Sequence, residues 1–173
     1  MSLKIGLNLT RNYSSNFDLP KRRKQSIKFI IIHYTGMRKE LDAIKRLCDP
    51  KSKVSSHYFI RNNGEVLNLV PGLYKAWHAG ISNWNNYKSL NKYSIGIEIN
   101  NPGHDYGYKR FSSKQINSII KLLKYLIKHN YVTINEKKLL QIDIQGASLK
   151  RSTDLQDANI KSLSNFIFKV FNQ

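Results

Sequence analysis

Ser94-Ile95-Gly96-Ile97-Glu98-Ile99 is the segment on which the reading of this 173-residue chain turns. As a strand, its alternation puts Ser94, Gly96 and Glu98 on one face and the three isoleucines on the other. A carboxylate set among isoleucines on a central strand is costly to bury unless it is paired or working. Gly96, two residues earlier on the same face, leaves room for something to approach. Partial burial would raise the Glu98 pKa toward that of a general base. An ion pair with one of the many lysines is the alternative the segment leaves open.

Working outward, strands and helices alternate. Lys28 to Tyr34 is β-branched and aromatic, reads as a buried strand, and is ended by Thr35-Gly36. Leu41, Ile44 and Leu47 have helical spacing within Glu40 to Cys48, and Pro50 stops that helix. His57 to Arg61 and Glu65 to Val70 flank Asn62-Asn63-Gly64, a hairpin signature. Tyr74 to Ile81 and Trp84 to Lys92 read as loop carrying aromatic residues. Phe111 opens the clearest helix: Ser112 and Gln115 have capping-box spacing, and Ile116, Ile119, Ile120, Leu123, Leu126 and Ile127 form one apolar face. His129-Asn130 closes it. A short strand around Lys138 to Ile142 and a last helix over Ile160 to Phe171 follow. The expected fold is a single α/β domain over 26–173, preceded by an irregular arm over 1–25.

Composition narrows the class. Hydrophobic residues make up 40% of the chain and charged residues 23%, as in soluble globular proteins. No apolar run approaches the roughly 20 residues that span a bilayer, so no membrane partner is expected. The first 25 residues lack a secretory signal pattern and Cys48 stands alone, which together set the expected location as the cytoplasm. The 29 Lys+Arg against 11 Asp+Glu leave a net charge of +18. Such a surface attracts anionic polymers, nucleic acid included, but it equally suits anionic peptides or a merely solvated face. Charge alone decides nothing.

Two further places could carry chemistry. His33 ends the first buried strand, where sites on layered sheets tend to be built, and a neutral imidazole there can ligate zinc or serve as a satisfied structural residue. Trp77-His78-Ala79-Gly80 joins an aromatic ring, an imidazole and two small residues, a composition suited to a groove wall or to a core tryptophan. His57 and His129 read as structural. The sequence holds no Gly-rich phosphate loop, no cysteine pair and no Ser-centred nucleophile elbow.

Taken in order, Ile32-His33-Tyr34-Thr35-Gly36-Met37, Leu47-Cys48-Asp49-Pro50, Val54-Ser55-Ser56-His57-Tyr58, Asn63-Gly64, Leu69-Val70-Pro71, Ala76-Trp77-His78-Ala79-Gly80, Ser94 to Ile99 and Asn101-Pro102-Gly103-His104-Asp105-Tyr106-Gly107-Tyr108 resemble the zinc-dependent N-acetylmuramoyl-L-alanine amidases. Their fold is shared with T7 lysozyme and the peptidoglycan recognition proteins. The resemblance covers about 14–130. It implies a central mixed β-sheet flanked by helices, with one zinc at the edge of a groove. It further implies His33 as a zinc ligand, Glu98 as the residue that activates the attacking water, and Trp77 and His78 as substrate-facing wall. The substrates implied are peptidoglycan fragments, cut between N-acetylmuramic acid and L-alanine by a monomer. No nucleic-acid partner is expected on this reading.

The C-terminal third departs from the family pattern. Where the family has Gly-His-Ser-Asp-Ile, this chain has Leu140-Gln141-Ile142-Asp143-Ile144, so the second histidine ligand falls on Gln141. Where the family has Arg-Lys-x-Asp-Pro-Gly, this chain has Lys150-Arg151-Ser152-Thr153-Asp154-Leu155-Gln156. Asp154 is then the candidate Asp ligand, Ser152 takes the place of the lysine, and Lys150 or Arg151 would have to substitute for it. A neutral glutamine is a poor replacement for imidazole on zinc. The same stretch therefore also supports a relative that binds peptidoglycan without cutting it, or one that recruits another ligand such as Asp143.

Overall fold

A computed structural model describes residues 9–11, 13–107, 109–129, 131, 139–142 and 149–151. In chain order its elements are β1 (Leu9–Arg11), β2 (Phe17–Asp18), β3 (Phe29–Tyr34), α1 (Glu40–Cys48), β4 (Tyr58–Ile60), β5 (Val66–Asn68), β6 (Lys75–Ala76), β7 (Asn83–Trp84), β8 (Tyr87–Lys88), β9 (Ser94–Ile99), α2 (Ser113–Lys128), β10 (Leu139–Ile142) and β11 (Leu149–Arg151). Seven strands make one sheet in the order β1-β5-β4-β9-β3-β10-β11. Its pairs are parallel except β4–β5 and β10–β11, so the sheet is mixed. β2 pairs with β6, and β7 with β8, as separate two-stranded ribbons.

Alternation along β3 and β9 creates two unlike faces. Ile30, Ile32, Ile95, Ile97 and Ile99, with Tyr58 and Ile60 from β4, pack against Ile119, Leu122, Leu123 and Leu126 of α2. That helix starts where its sequence says it should. The Ser112 hydroxyl accepts from the Gln115 N–H, and the Gln115 carboxamide accepts from the Ser112 N–H, a complete capping box.

The other face is covered in two patches with a gap between them. Ala43, Ile44 and Leu47 of α1 close over Phe59, Leu67 and Leu69. Phe29, Ile31 and Leu90 gather beneath Trp84, Tyr87 and Tyr93 at the other side. His33 and Glu98 lie between, side by side in the β3–β9 register.

The hairpin forms at the expected place. Gly64 N–H donates to Arg61 O (3.0 Å), and Gly64 adopts φ +86°, a conformation that favours glycine. A Cβ there would also press on Lys114 O at the start of α2 (2.9 Å). Arg61 bridges Glu40 and Glu65 at 2.8 Å each, tying hairpin to α1.

The arm expected to be irregular over 1–25 instead contributes β1 and β2. β1 runs parallel to β5 at the edge of the main sheet, and β2 pairs with β6. Strands this short draw their hydrogen bonds from partners some 57 residues away, so no local pattern announces them. The expected helix over 160–171 lies outside the described residues. No described helix is long and apolar enough to cross a membrane.

Candidate active site

The gap on the second face opens into a cleft of about 550 Å³. His33 and Glu98 form part of its floor, Thr35, Gly36 and Met37 lie after β3, and Ala43, Arg46 and Leu47 line it from α1. The opposite wall is Trp77 to Ser82, ending in a fully exposed Ile81. The cleft therefore brings together His33, Glu98, Trp77 and His78, four residues singled out in the sequence.

Glu98 is half-buried, and its Oε2 is buried without a hydrogen-bond partner. No ion pair involves it among the described residues, so the lysine pairing left open by the sequence is not made there. Burial, without a compensating charge, pushes its pKa up to about 8. An orphaned, buried carboxylate oxygen on a residue that lines a cleft is a costly feature and the sort that chemistry uses.

Three imidazoles meet edge-on next to it. His33 Nε2 and His78 Nδ1 are 3.0 Å apart, and the His57 ring lies edge-on to His78 at 5.5 Å between centroids. Desolvation lowers the His33 pKa to about 4 and the His57 pKa to about 3, and His78 is lowered by burial and then by its imidazole neighbours. All three are neutral at neutral pH. His57 serves structure: its Nδ1 accepts the Gly96 N–H (2.9 Å), which leaves the Nε2 proton to go to Tyr74 O (3.0 Å).

Arg22 completes the support and was missed in the sequence, where it sits in the run Lys21-Arg22-Arg23-Lys24 and reads as solvated charge. Its guanidinium donates to Asn91 O (2.9 Å), Ser94 O (2.8 Å) and Gly72 O (2.8 Å). Burial lowers its pKa to about 10. That cation, near His57, discourages a second positive charge there.

Trp77 stands in the cleft wall with its indole N–H donating to Asp18 Oδ1 (2.6 Å), and Lys75 pairs with the same carboxylate. His78 also lines the cleft, yet both its nitrogens are engaged by the protein, by His33 on one side and Ser94 on the other. Gly96 makes this possible: a Cβ at that position would collide with the His78 ring.

The backbone register sets Gln141 beside Ile32, one position out of step with His33. Asp154 lies outside the described residues. Among the described residues, no three His, Cys, Asp or Glu side chains come together to hold a metal ion.

A mixed sheet flanked by helices, with His33 and Glu98 adjacent near the strand ends in the floor of a cleft, defines an amidase-type α/β domain. The family profile described as N-acetylmuramoyl-L-alanine amidase matches residues 23–157, and the chain belongs to that family. N-acetylmuramoyl-L-alanine amidase AmiD of Escherichia coli is 36% identical over 118 residues, covering 61% of this chain and 42% of AmiD. The 1,6-anhydro-N-acetylmuramyl-L-alanine amidase AmpD of Haemophilus influenzae is 30% identical over 128 residues, 62% of this chain and 68% of AmpD. The solved complex of E. coli AmiD with anhydro-N-acetylmuramic acid-L-Ala-D-gamma-Glu-L-Lys superposes with a TM-score of 0.56 at 31% identity, covering 72% of this chain and 50% of that one. The matched stretch thus spans less than half the length of AmiD.

Proposed function

We propose that this protein hydrolyses the amide between N-acetylmuramic acid and L-alanine in peptidoglycan fragments. One observation carries the reading: Glu98 lines the floor of a cleft of about 550 Å³ beside His33 and keeps a buried carboxylate oxygen without a hydrogen-bond partner. In its ionised form Glu98 takes a proton from a water, and the resulting hydroxide adds to the amide carbonyl carbon. The protonated Glu98 then returns that proton to the departing amine of L-alanine, leaving a lactyl carboxylate and a free stem peptide. The net positive charge of the chain favours encounter with these anionic peptides.

Members of this family are typically zinc-dependent. His33 fits as a donor, since its imidazole is neutral and lines the cleft. Zinc, when bound, supplies a Lewis acid that polarises the carbonyl. A divalent cation beside Glu98 would also favour the carboxylate over the acid. The further donors are not among the described residues; Asp154 is the expected carboxylate.

A second reading, binding without cleavage, is favoured by Gln141 standing where the family has histidine. Mass spectrometry of a purified anhydro-muropeptide incubated with the protein and zinc, beside a Glu98→Ala control, separates the two. Free stem peptide from the wild type alone supports the amidase. Intact substrate that still binds after chelation of metal would transfer support to the binding reading.

A further inference from the structure

We infer that His78 is a positioning residue: it takes the Nε2 proton of His33 in a hydrogen bond and so leaves the His33 Nδ1 lone pair free. The order of donors follows from the far end of the chain, where Leu90 O can only accept. Ser94 Oγ donates its proton to that carbonyl at 2.7 Å. With its one proton so used, Ser94 can only accept from His78, so the 3.1 Å contact makes His78 Nε2 an N–H. A neutral imidazole carries a single ring proton, so His78 Nδ1 is bare. Its 3.0 Å contact with His33 Nε2 is then satisfied only by the proton of His33. His33 is fixed as the Nε2–H tautomer, and no hydrogen bond among the described residues involves its Nδ1.

The surroundings hold this relay from several sides. Asn91 Oδ1 accepts from the backbone N–H groups of His78 (3.2 Å) and Ala79 (2.8 Å), which pins the chain at the relay. Gly96 supplies the vacancy into which the His78 ring fits. His57 backs the ring edge-on and is itself locked by Gly96 and Tyr74. Partners of this kind fix which nitrogen of a working imidazole is available, and their loss costs roughly 10–100-fold in metal affinity or activity. The inference rests on the amidase reading only for the use made of that lone pair; the tautomer does not depend on it.

The test is long-range ¹H–¹⁵N NMR of the histidine rings in the full, metal-free chain at neutral pH. His33→Gln and His78→Gln spectra assign the signals. In the wild type, His33 and His78 should both carry the proton on Nε2. Ser94→Ala should scramble both rings between tautomers, and Ser94→Thr, which keeps the hydroxyl, should restore them. A proton on His33 Nδ1 in the wild type overturns the inference, as does an unchanged His33 tautomer in folded Ser94→Ala. If Ser94→Ala does not fold, the wild-type spectrum still decides. Zinc added as the bare ion, followed by competition with a chromophoric chelator, reads the consequence: binding should be about tenfold weaker in Ser94→Ala. Equal affinities would remove the positioning role. No zinc binding by either protein, with the tautomers as expected, would sink the metal reading and uphold the relay.

Discussion

The two faces of the central sheet are made of alternate residues of the same strands, and they are finished in opposite ways. Toward α2, Ile95, Ile97, Ile119, Leu122 and Leu123 are wholly buried, each contributing about 1.5–3 kcal/mol of burial free energy. Toward the cleft, the equivalent positions hold Gly96, Glu98 and His33, and coverage stops on either side of them. The first face stores stability. The second gives some of it up, through a carboxylate that would be better off in water. A site of this kind has to be carried by the opposite face, where the 16-residue α2 with its complete N-terminal capping box covers the sheet.

This contrast can be broken most directly at Glu98. Glu98→Gln should lower muropeptide hydrolysis by about 10²–10⁴-fold, the range of a general base, as read by release of stem peptide. It should at the same time raise the melting temperature. The raised pKa means that between 4.5 and about 8 the folded protein holds a proton that the unfolded chain has lost. Wild-type stability is therefore penalised progressively as pH rises through that window. The advantage of the Gln variant should be absent below pH 4.5 and full above pH 8. A variant that is inactive and also less stable at pH 8 would mean that Glu98 holds structure and that the two faces are not so different.

Leu122→Ala tests the other side. It should cost about 2–5 kcal/mol in denaturant unfolding, while leaving kcat near its wild-type value wherever the protein is folded. Arg22→Met should come next, at about 2–3 kcal/mol, because Asn91, Ser94 and Gly72 carbonyls lose their donor together. It sharpens the comparison, since Arg22 belongs to the cleft side yet serves folding. Ser112→Ala should be the mildest, about 1 kcal/mol from the lost cap, with no change in activity.

What could be read in advance follows the range of the forces involved. β3, α1, the hairpin, β9 and α2 are all visible in sequence, because period-2 alternation, helical spacing, an Asn-Gly turn and a capping box are written within a few residues. The face shared by Gly96 and Glu98 is visible for the same reason. β1, β2 and Arg22 are not, since each is defined by partners brought from about fifty residues or more away. Ser94 reads in sequence as a neighbour of Gly96 and Glu98 on one strand face, but its role depends on a ring contributed by His78. The Asp154 position and the helix over 160–171 lie outside the described residues.

By itself the sequence determined that an acid and an imidazole stand near the ends of two buried strands, since side-chain direction along a strand is a local property; that the two strands pair side by side came from the tertiary structure. Only the tertiary structure decided that the Glu98 oxygen lacks a partner, and that the proton of His33 points to His78. Those facts are distances between atoms that are remote in the chain, and they exist only once α1, β9 and the 77–92 loop have closed around the same space.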